Sequence, residues 1–307
     1  MSTLLLRFAR PFSLGLLVVA LAALLVGCGD SSQADNAHKK HVFRFINRGD
    51  LLTLDLNRMS YLQDFRITYA IREGLFGYDP NRDFSATPTL ALRTDSPDGG
   101  RTYRFTLRPD GKWNNGDPVV ADDFVFSWRL MLESPGEYTS LFYYIDNAEA
   151  YKNAIEEKKP MDFADVGIRA IDDHTLEMRL KKAMPQKFVE ELLAFPPFYP
   201  RHRKSMEPFR NKEAGDRLAY YDRYTREQFV VTNGPFKLQT WRPGAKVVMV
   251  PNEFYWDRAS VKLDEVVMVV VDDPNSAYTQ FLQGKVHWLS DVDADIAFRR
   301  SARATPS

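Results

Sequence analysis

A single run of 13 apolar residues, Leu14 to Val26, most narrows what this chain can fold into. Arg7 and Arg10 precede it. A helix that spans a bilayer needs about 20 apolar residues, whereas the core of a secretory signal has roughly 7–15. The run fits the second description. No later segment is long and apolar enough to be another candidate. Everything beyond residue 27 is therefore expected to bury its apolar side chains in a core of its own, on the far side of the membrane.

The run ends in Leu25-Val26-Gly27-Cys28, which resembles the cleavage box of bacterial lipoproteins. In that reading the cysteine sulfur carries a diacylglycerol. Each buried methylene contributes about 0.8 kcal/mol, and stable anchoring takes two acyl chains. The competing reading is an ordinary cleaved signal followed by an incidental cysteine. Cys28 is the only cysteine, so a disulfide scaffold is excluded. The expectation is a signal peptide over 1–27, then a flexible tether over 28–41. The product would sit in the periplasm or at the envelope surface, lipid-anchored to the membrane through Cys28. His38 and His41 are separated only by two lysines, with no acidic or thiol residue in that run, which is weak evidence for a metal site, and none is expected there.

Cleavage before Cys28 leaves 280 of the 307 residues, enough for one large domain or two ordinary ones. Lys plus Arg and Asp plus Glu balance at 41 each, and loss of Arg7 and Arg10 brings the mature chain to about −2. That charge leaves no basic stripe for nucleic acid, so no nucleic-acid partner is expected. Aromatic residues make up 13% of the chain, which fits either a large mixed core or a cleft lined with rings. No nucleophile elbow, HExxH or phosphate loop is present, so the chain does not read as an enzyme and no cofactor is expected.

Val42 to Ile46 alternates as a strand, and Asp64 to Gly74 carries Phe65, Tyr69, Ile71 and Leu75 near the helical period. Gly77 to Pro80, Ser96 to Gly100 and Asn114 to Pro118 read as turns. Tyr103, Phe105 and Leu107 share one face of a half-buried strand. Ala121 to Leu132 is a predicted helix, with Asp122 and Asp123 in its first turn and Phe124, Trp128 and Leu132 as its buried stripe. Val166 to Ile171 and Leu176 to Leu180 form a hairpin. Phe188 to Leu193 is a short helix ended by Pro196 and Pro197. Lys246 to Val250 and Val266 to Val271 are strands, and Ala277 to Leu282 is a helix stopped by Gly284. With no repeating βαβ order, the class is α+β or irregular α/β.

Three stretches carry a family resemblance. The first is Asp98-Gly-Gly-Arg-Thr-Tyr-Arg-Phe-Thr-Leu-Arg108, followed by Lys112 to Trp128 with its Trp-Asn-Asn-Gly-Asp-Pro core. The second is Val166-Gly-Ile-Arg-Ala-Ile-Asp-Asp-His-Thr-Leu-Glu177. The third is Val231-Thr-Asn-Gly-Pro-Phe-Lys-Leu238, then Trp241 and Asn252-Glu-Phe-Tyr-Trp-Asp257. In order and spacing they resemble the family 5 extracellular solute-binding proteins, the oligopeptide and dipeptide receptors of ABC importers, from about Phe43 to Ile296. Two positions depart from the pattern. Val120 stands where a capping Thr is usual, a loss of about 1 kcal/mol, and Leu56 stands where Pro is common.

The resemblance implies a clamp of the periplasmic-binding-protein type II kind, of which this sequence matches the N-terminal part. Residues 42–62 and 165–262 would form lobe one, 63–164 an extra domain, and 263–297 the start of a mostly missing lobe two. Residues 298–307 would be an unstructured tail. The implied function is capture of short peptides and delivery to the importer's permease subunits, by a monomer. Peptides would bind as an added strand, with main-chain pairing indifferent to sequence. The implied ligand-facing residues are Asn47, Gly49, Asp50 and Leu51 in the loop after the first strand, Tyr138 in the extra domain, Thr232, Asn233 and Gly234 on the cleft face, and Tyr255. For Asp50 the plain alternative is a solvated turn, for Thr232 to Gly234 a tight turn, and for Tyr255 a core position. The rival functions are a non-binding remnant or structural lipoprotein of the same family, a receptor for nickel, haem, opines or oligosaccharide, and an envelope enzyme.

Overall fold

The computed structural model describes residues 40–47 and 49–292. The signal segment, Cys28, most of the tether and the tail lie outside the described residues. In chain order the main elements are β1 (Val42–Asn47), α1 (Leu62–Ile71), β2 (Phe76–Asp79), β3 (Ser85–Pro88), β4 (Ala91–Asp95) and β5 (Thr102–Leu107). Next come α2 (Ala121–Glu133), α3 (Ala148–Glu157), β6 (Ile168–Asp172), β7 (Thr175–Arg179), α4 (Gln186–Leu193) and α5 (Arg203–Met206). The last are β8 (Phe236–Arg242), β9 (Lys246–Pro251), β10 (Glu265–Val270), α6 (Pro274–Leu282) and β11 (Trp288–Leu289). Among the described residues no helix is long and apolar enough to cross a membrane.

The strands form a five-stranded sheet in the order β11-β1-β10-β9-β8, a four-stranded sheet in the order β4-β5-β7-β6, and the hairpin β2-β3. In the larger sheet β1 runs parallel to β10 and β11, while β9 runs antiparallel to both its neighbours, β10 and β8. The apolar run of β10 suits a strand covered on both faces. Phe45, Val266 and Met268 pack on one face against Ile67 and Ile71 of α1. Ile46 and Val269 point to the other, against Ala277 of α6 and Val286. The smaller sheet buries Tyr103, Phe105 and Leu107 with Leu176 and Met178 of the facing strand. Phe124, Trp128 and Leu132 of α2 close that core, all fully buried. The expected stripe and hairpin are thus in place.

Val120 has no side-chain acceptor to cap α2. Instead Asp123 Oδ2 accepts from Val120 N–H at 3.1 Å and from Trp113 Nε1 at 3.0 Å, which supplies one half of a capping box. Leu56 is buried with Met59, Phe65 and Tyr199, so the departure from Pro fills a core position.

Several sequence expectations need correction. The first helix ends at Ile71, not Gly74, and Arg72 is extended at φ −135°. Residues 71–73 bond across the molecule, as described below. Gly77 to Pro80 is no simple turn: residues 76–79 form β2, paired with β3 from Phe76–Pro88 to Asp79–Ser85. Sheet membership also crosses the expected domain limits. α1 packs on the larger sheet although residue 63 was to open the extra domain. Strands β6 and β7, expected in lobe one, pair with β5 of the extra domain. Strand β10, expected in lobe two, is central to the sheet that holds β1. His41, placed in the tether, lies just before β1, donates its N–H to Asp264 Oδ2 at 2.8 Å and accepts from Asp264 N–H at 2.9 Å.

Candidate functional site

In a sheet with parallel strands, ligands tend to bind beyond the carboxyl ends. Here β1, β10 and β11 finish together: Asn47 is level with Val270, and Ile46 with Leu289. The turn between β8 and β9 reaches the same end, where Val270 N–H donates to Ala245 O. The loop 47–51 therefore lies where a ligand can approach.

Asn47 is fully buried. Its Nδ2 donates to Gln63 O at 3.3 Å and contacts Met268 Sδ at 3.3 Å, while its Oδ1 accepts from Arg66 Nη1 at 2.5 Å. All its polar atoms serve the frame. Gly49 has φ +86°, a conformation glycine alone holds without strain. Asp50 Oδ1 accepts from Leu51 N–H at 2.8 Å and its Oδ2 from Gly244 N–H at 2.6 Å, which ties the loop to the β8–β9 turn. Leu51 is buried in the core, so its side chain anchors the loop. Tyr138 stands half-buried between Phe65 and Phe195, with centroids 5.9 and 4.9 Å away. Phe65 belongs to the first turn of α1, and Tyr138 packs on the cluster that it forms with Leu56, Met59 and Tyr199. Beside the strand ends is a small cleft of about 120 Å³ lined by Ile46, Val271, Asp272, Ala277, Ser290 and Asp291.

Thr232, Asn233, Gly234 and Tyr255 are elsewhere. They sit at the opposite end of the sheet, one strand length away, about 20 Å at 3.3 Å per residue. Thr232 is fully buried and exchanges backbone and side-chain bonds with Asn114. Asn233 Oδ1 accepts from Glu73 N–H at 3.1 Å, and its Nδ2 donates to Glu73 O at 2.9 Å. Gly234 N–H donates to Ile71 O at 2.9 Å. A Cβ on Gly234 would stand 2.4 Å from Arg72 N and Ile71 C, so only glycine fits. Tyr255 OH donates to Glu73 Oε1, and Trp256 Nε1 donates to Glu73 Oε2 at 2.9 Å. Burial raises the Glu73 pKa to about 7, against the lowering by these two donors. The Arg108 guanidinium lies 3.2 Å over the Trp256 ring.

Two residues at the strand ends were not singled out from sequence. Arg66 bonds Asn47 and stands 5.4 Å from the Trp288 ring centroid, and Trp288 is half exposed. Isolated charges carry no periodic signal; the only hint is Arg66 placed next to the buried Phe65 and Ile67. Among the described residues, no group of three or more His, Cys, Asp or Glu is placed to hold a metal ion.

Residues 85–305 match the family described as bacterial extracellular solute-binding proteins, family 5 Middle. The dipeptide-binding protein DppE of Bacillus subtilis is 31% identical over 91% of this chain and 50% of its own length. An oligopeptide ABC transporter substrate-binding domain from Bacillus anthracis is 33% identical, with a TM-score of 0.70 over 81% of this chain and 45% of that one. OppA of Listeria monocytogenes, solved bound to peptide, is 28% identical with a TM-score of 0.73, over 87% and 49%. The mixed α/β architecture is that of these binding proteins, and the chain spans about half the length of the curated relatives it matches.

Proposed function

We propose, from the premise that this chain belongs to the bacterial extracellular solute-binding proteins of family 5, that it serves as a receptor that captures short peptides outside the cytoplasm and passes them to an ABC importer. The observation that carries the reading is the loop 47–51, open at the shared carboxyl end of three parallel strands and held by bonds to Arg66, Gln63 and Gly244. Such a frame presents backbone groups to an extended chain while its own side chains stay engaged. Gly49 and Asp50 would face the peptide, with Asp50 offering remaining lone pairs to a ligand N–H or ammonium. Tyr138 would supply a ring and hydroxyl. Asn47 and Leu51 would set the loop. Thr232, Asn233, Gly234 and Tyr255 would support the far end of the sheet rather than touch the peptide. An acyl anchor on Cys28 would keep the receptor at the membrane.

Calorimetric titration of the full chain with trialanine and trilysine tests this. Binding is expected at micromolar to millimolar concentration, weakened about tenfold by Asp50→Asn, the worth of one charge-assisted bond. No saturable binding of either peptide, or binding indifferent to both Asp50→Asn and Tyr138→Ala, would sink the proposal. The anchor is tested on detergent-extracted protein: an intact mass that starts at Cys28 without acyl chains would remove it.

A further inference from the structure

Beyond Glu73 and Tyr255 lies a cleft of about 800 Å³, at the end of the sheet remote from the loop 47–51. That volume is in the range of small-molecule sites. The peptide contacts described above make no use of it.

Its walls are aromatic. Tyr69 meets Tyr199 edge to face at 6.5 Å and Tyr78 at 6.3 Å, and all three rings line the cleft. Phe84 lines it too, although 67% of that residue faces solvent. Phe84 and the preceding Asp83 have φ of +54° and +56°. Bulky L-residues rarely hold that conformation. It is kept here by Phe84 N–H donating to Asp79 O at 3.0 Å and Ser85 Oγ donating to Arg82 O at 2.7 Å. An apolar ring is thus held out at the tip of the β2–β3 hairpin instead of folding into the core.

The ionisable groups of the lining are mostly acidic. Glu73, Asp79 and Asp257 contribute carboxyls. Glu73 is fixed by Tyr255 and Trp256. Arg72 also lines the cleft; its guanidinium is buried and its Nε has no hydrogen-bond partner. Arg108, behind Glu73, lies over Trp256 and pairs with Asp110 at 2.8 Å. Thr87 Oγ1 is buried in this lining with no hydrogen-bond partner, a polar atom left for a ligand N–H. Ring faces carry negative quadrupole charge, and carboxylates add to it. The three carboxyls outnumber the Arg72 guanidinium, so a cationic ligand is favoured over an anionic one.

We propose that this cleft is a second ligand site, for a small organic amine with an aromatic or short hydrocarbon body. Its ammonium group would sit by Glu73 and Asp257, and its body would lie against Tyr69, Tyr78 and Phe84.

The test is ligand-observed NMR and calorimetry on the full chain with phenethylamine, and with phenylacetate as the anionic analogue. Phenethylamine is expected to bind saturably below about 10 mM, at least about tenfold more tightly than phenylacetate. Phe84→Ala and Asp257→Asn, both at partly or largely exposed positions, should each weaken it at least about threefold. Asp50→Asn should leave it unchanged, which separates this site from the peptide site. Equal binding of phenylacetate, no saturation by phenethylamine, or amine binding that survives the Phe84→Ala, Asp257→Asn double variant would overturn the proposal.

Discussion

Where β1, β10 and β11 end, one loop is tied down by side chains: Asn47 to Arg66 and Gln63, Asp50 to Gly244 N–H. At the other end of the same strands, the backbone itself is what is held, by buried amide side chains and by close contact with another stretch of backbone. Gly234 touches Ile71 and Arg72, Asn233 brackets Glu73 on both sides, and Asn252 Nδ2 donates to Gly234 O at 3.0 Å. Side-chain ties at a partly exposed loop can open locally at small cost, whereas a buried backbone seam opens only with the core it belongs to. The first arrangement suits a surface that must accept and release a ligand. The second suits a fixed frame, and it joins the end of α1 to the β8 turn.

The sharpest way to break this contrast is Gly234→Ala. The added Cβ would lie 2.4 Å from two backbone atoms that no side-chain rotation can move. A loss of about 3 kcal/mol or more is expected, read as a lower midpoint in urea unfolding. A loss below about 1 kcal/mol would mean that the seam is softer than its geometry.

Glu73→Gln probes the same end through pH. The Glu73 carboxyl rises from 4.5 to about 7 on folding, because burial outweighs the Tyr255 and Trp256 donors. Between those values the folded state holds a proton that the unfolded state has released. Stability from this group is therefore greatest below pH 4.5 and falls as pH rises to about 7, by about 3 kcal/mol in all. Asp123, raised from 3.8 to about 6 by burial, adds a slope of the same sign over a lower window. Parent and variant share every other titration, so the difference between their stability–pH curves reports Glu73. That difference should change most between pH 4.5 and 7, and parallel curves there would contradict the assignment.

Much of the fold could be read from local pattern, because Tyr103, Phe105 and Leu107, or Phe124, Trp128 and Leu132, state their buried face by spacing alone. What local pattern missed depends on distant partners. Leu75 extended the apparent helix, but Asn233, far along the chain, takes the Glu73 backbone out of it. Gly77 and Pro80 look like breakers, yet β2 forms because β3 is there to pair with it. The helix Ala148–Glu157 was not read, since its only fully enclosed side chains are Ala148, Tyr151 and Ala154. At the candidate site, the loop 47–51 was singled out through family resemblance. Its division from Thr232, Asn233, Gly234 and Tyr255 was not, because strand register decides which end of the sheet each turn reaches.

The smallest expected stability effect sharpens the comparison from the other side. Asp50→Asn keeps one acceptor oxygen, so either Leu51 N–H or Gly244 N–H can still be bonded while the other turns to water. Both amides lie at a partly exposed loop, where an unmade bond costs little. The expected loss is at most about 1 kcal/mol in urea unfolding, with faster hydrogen exchange confined to residues near 50 and 244. The same substitution is expected to weaken peptide binding about tenfold. A large effect on binding with a small effect on stability is the signature of a ligand-facing loop. The reverse ratio would make Asp50 a structural tie and leave the peptide to other contacts at that end of the sheet.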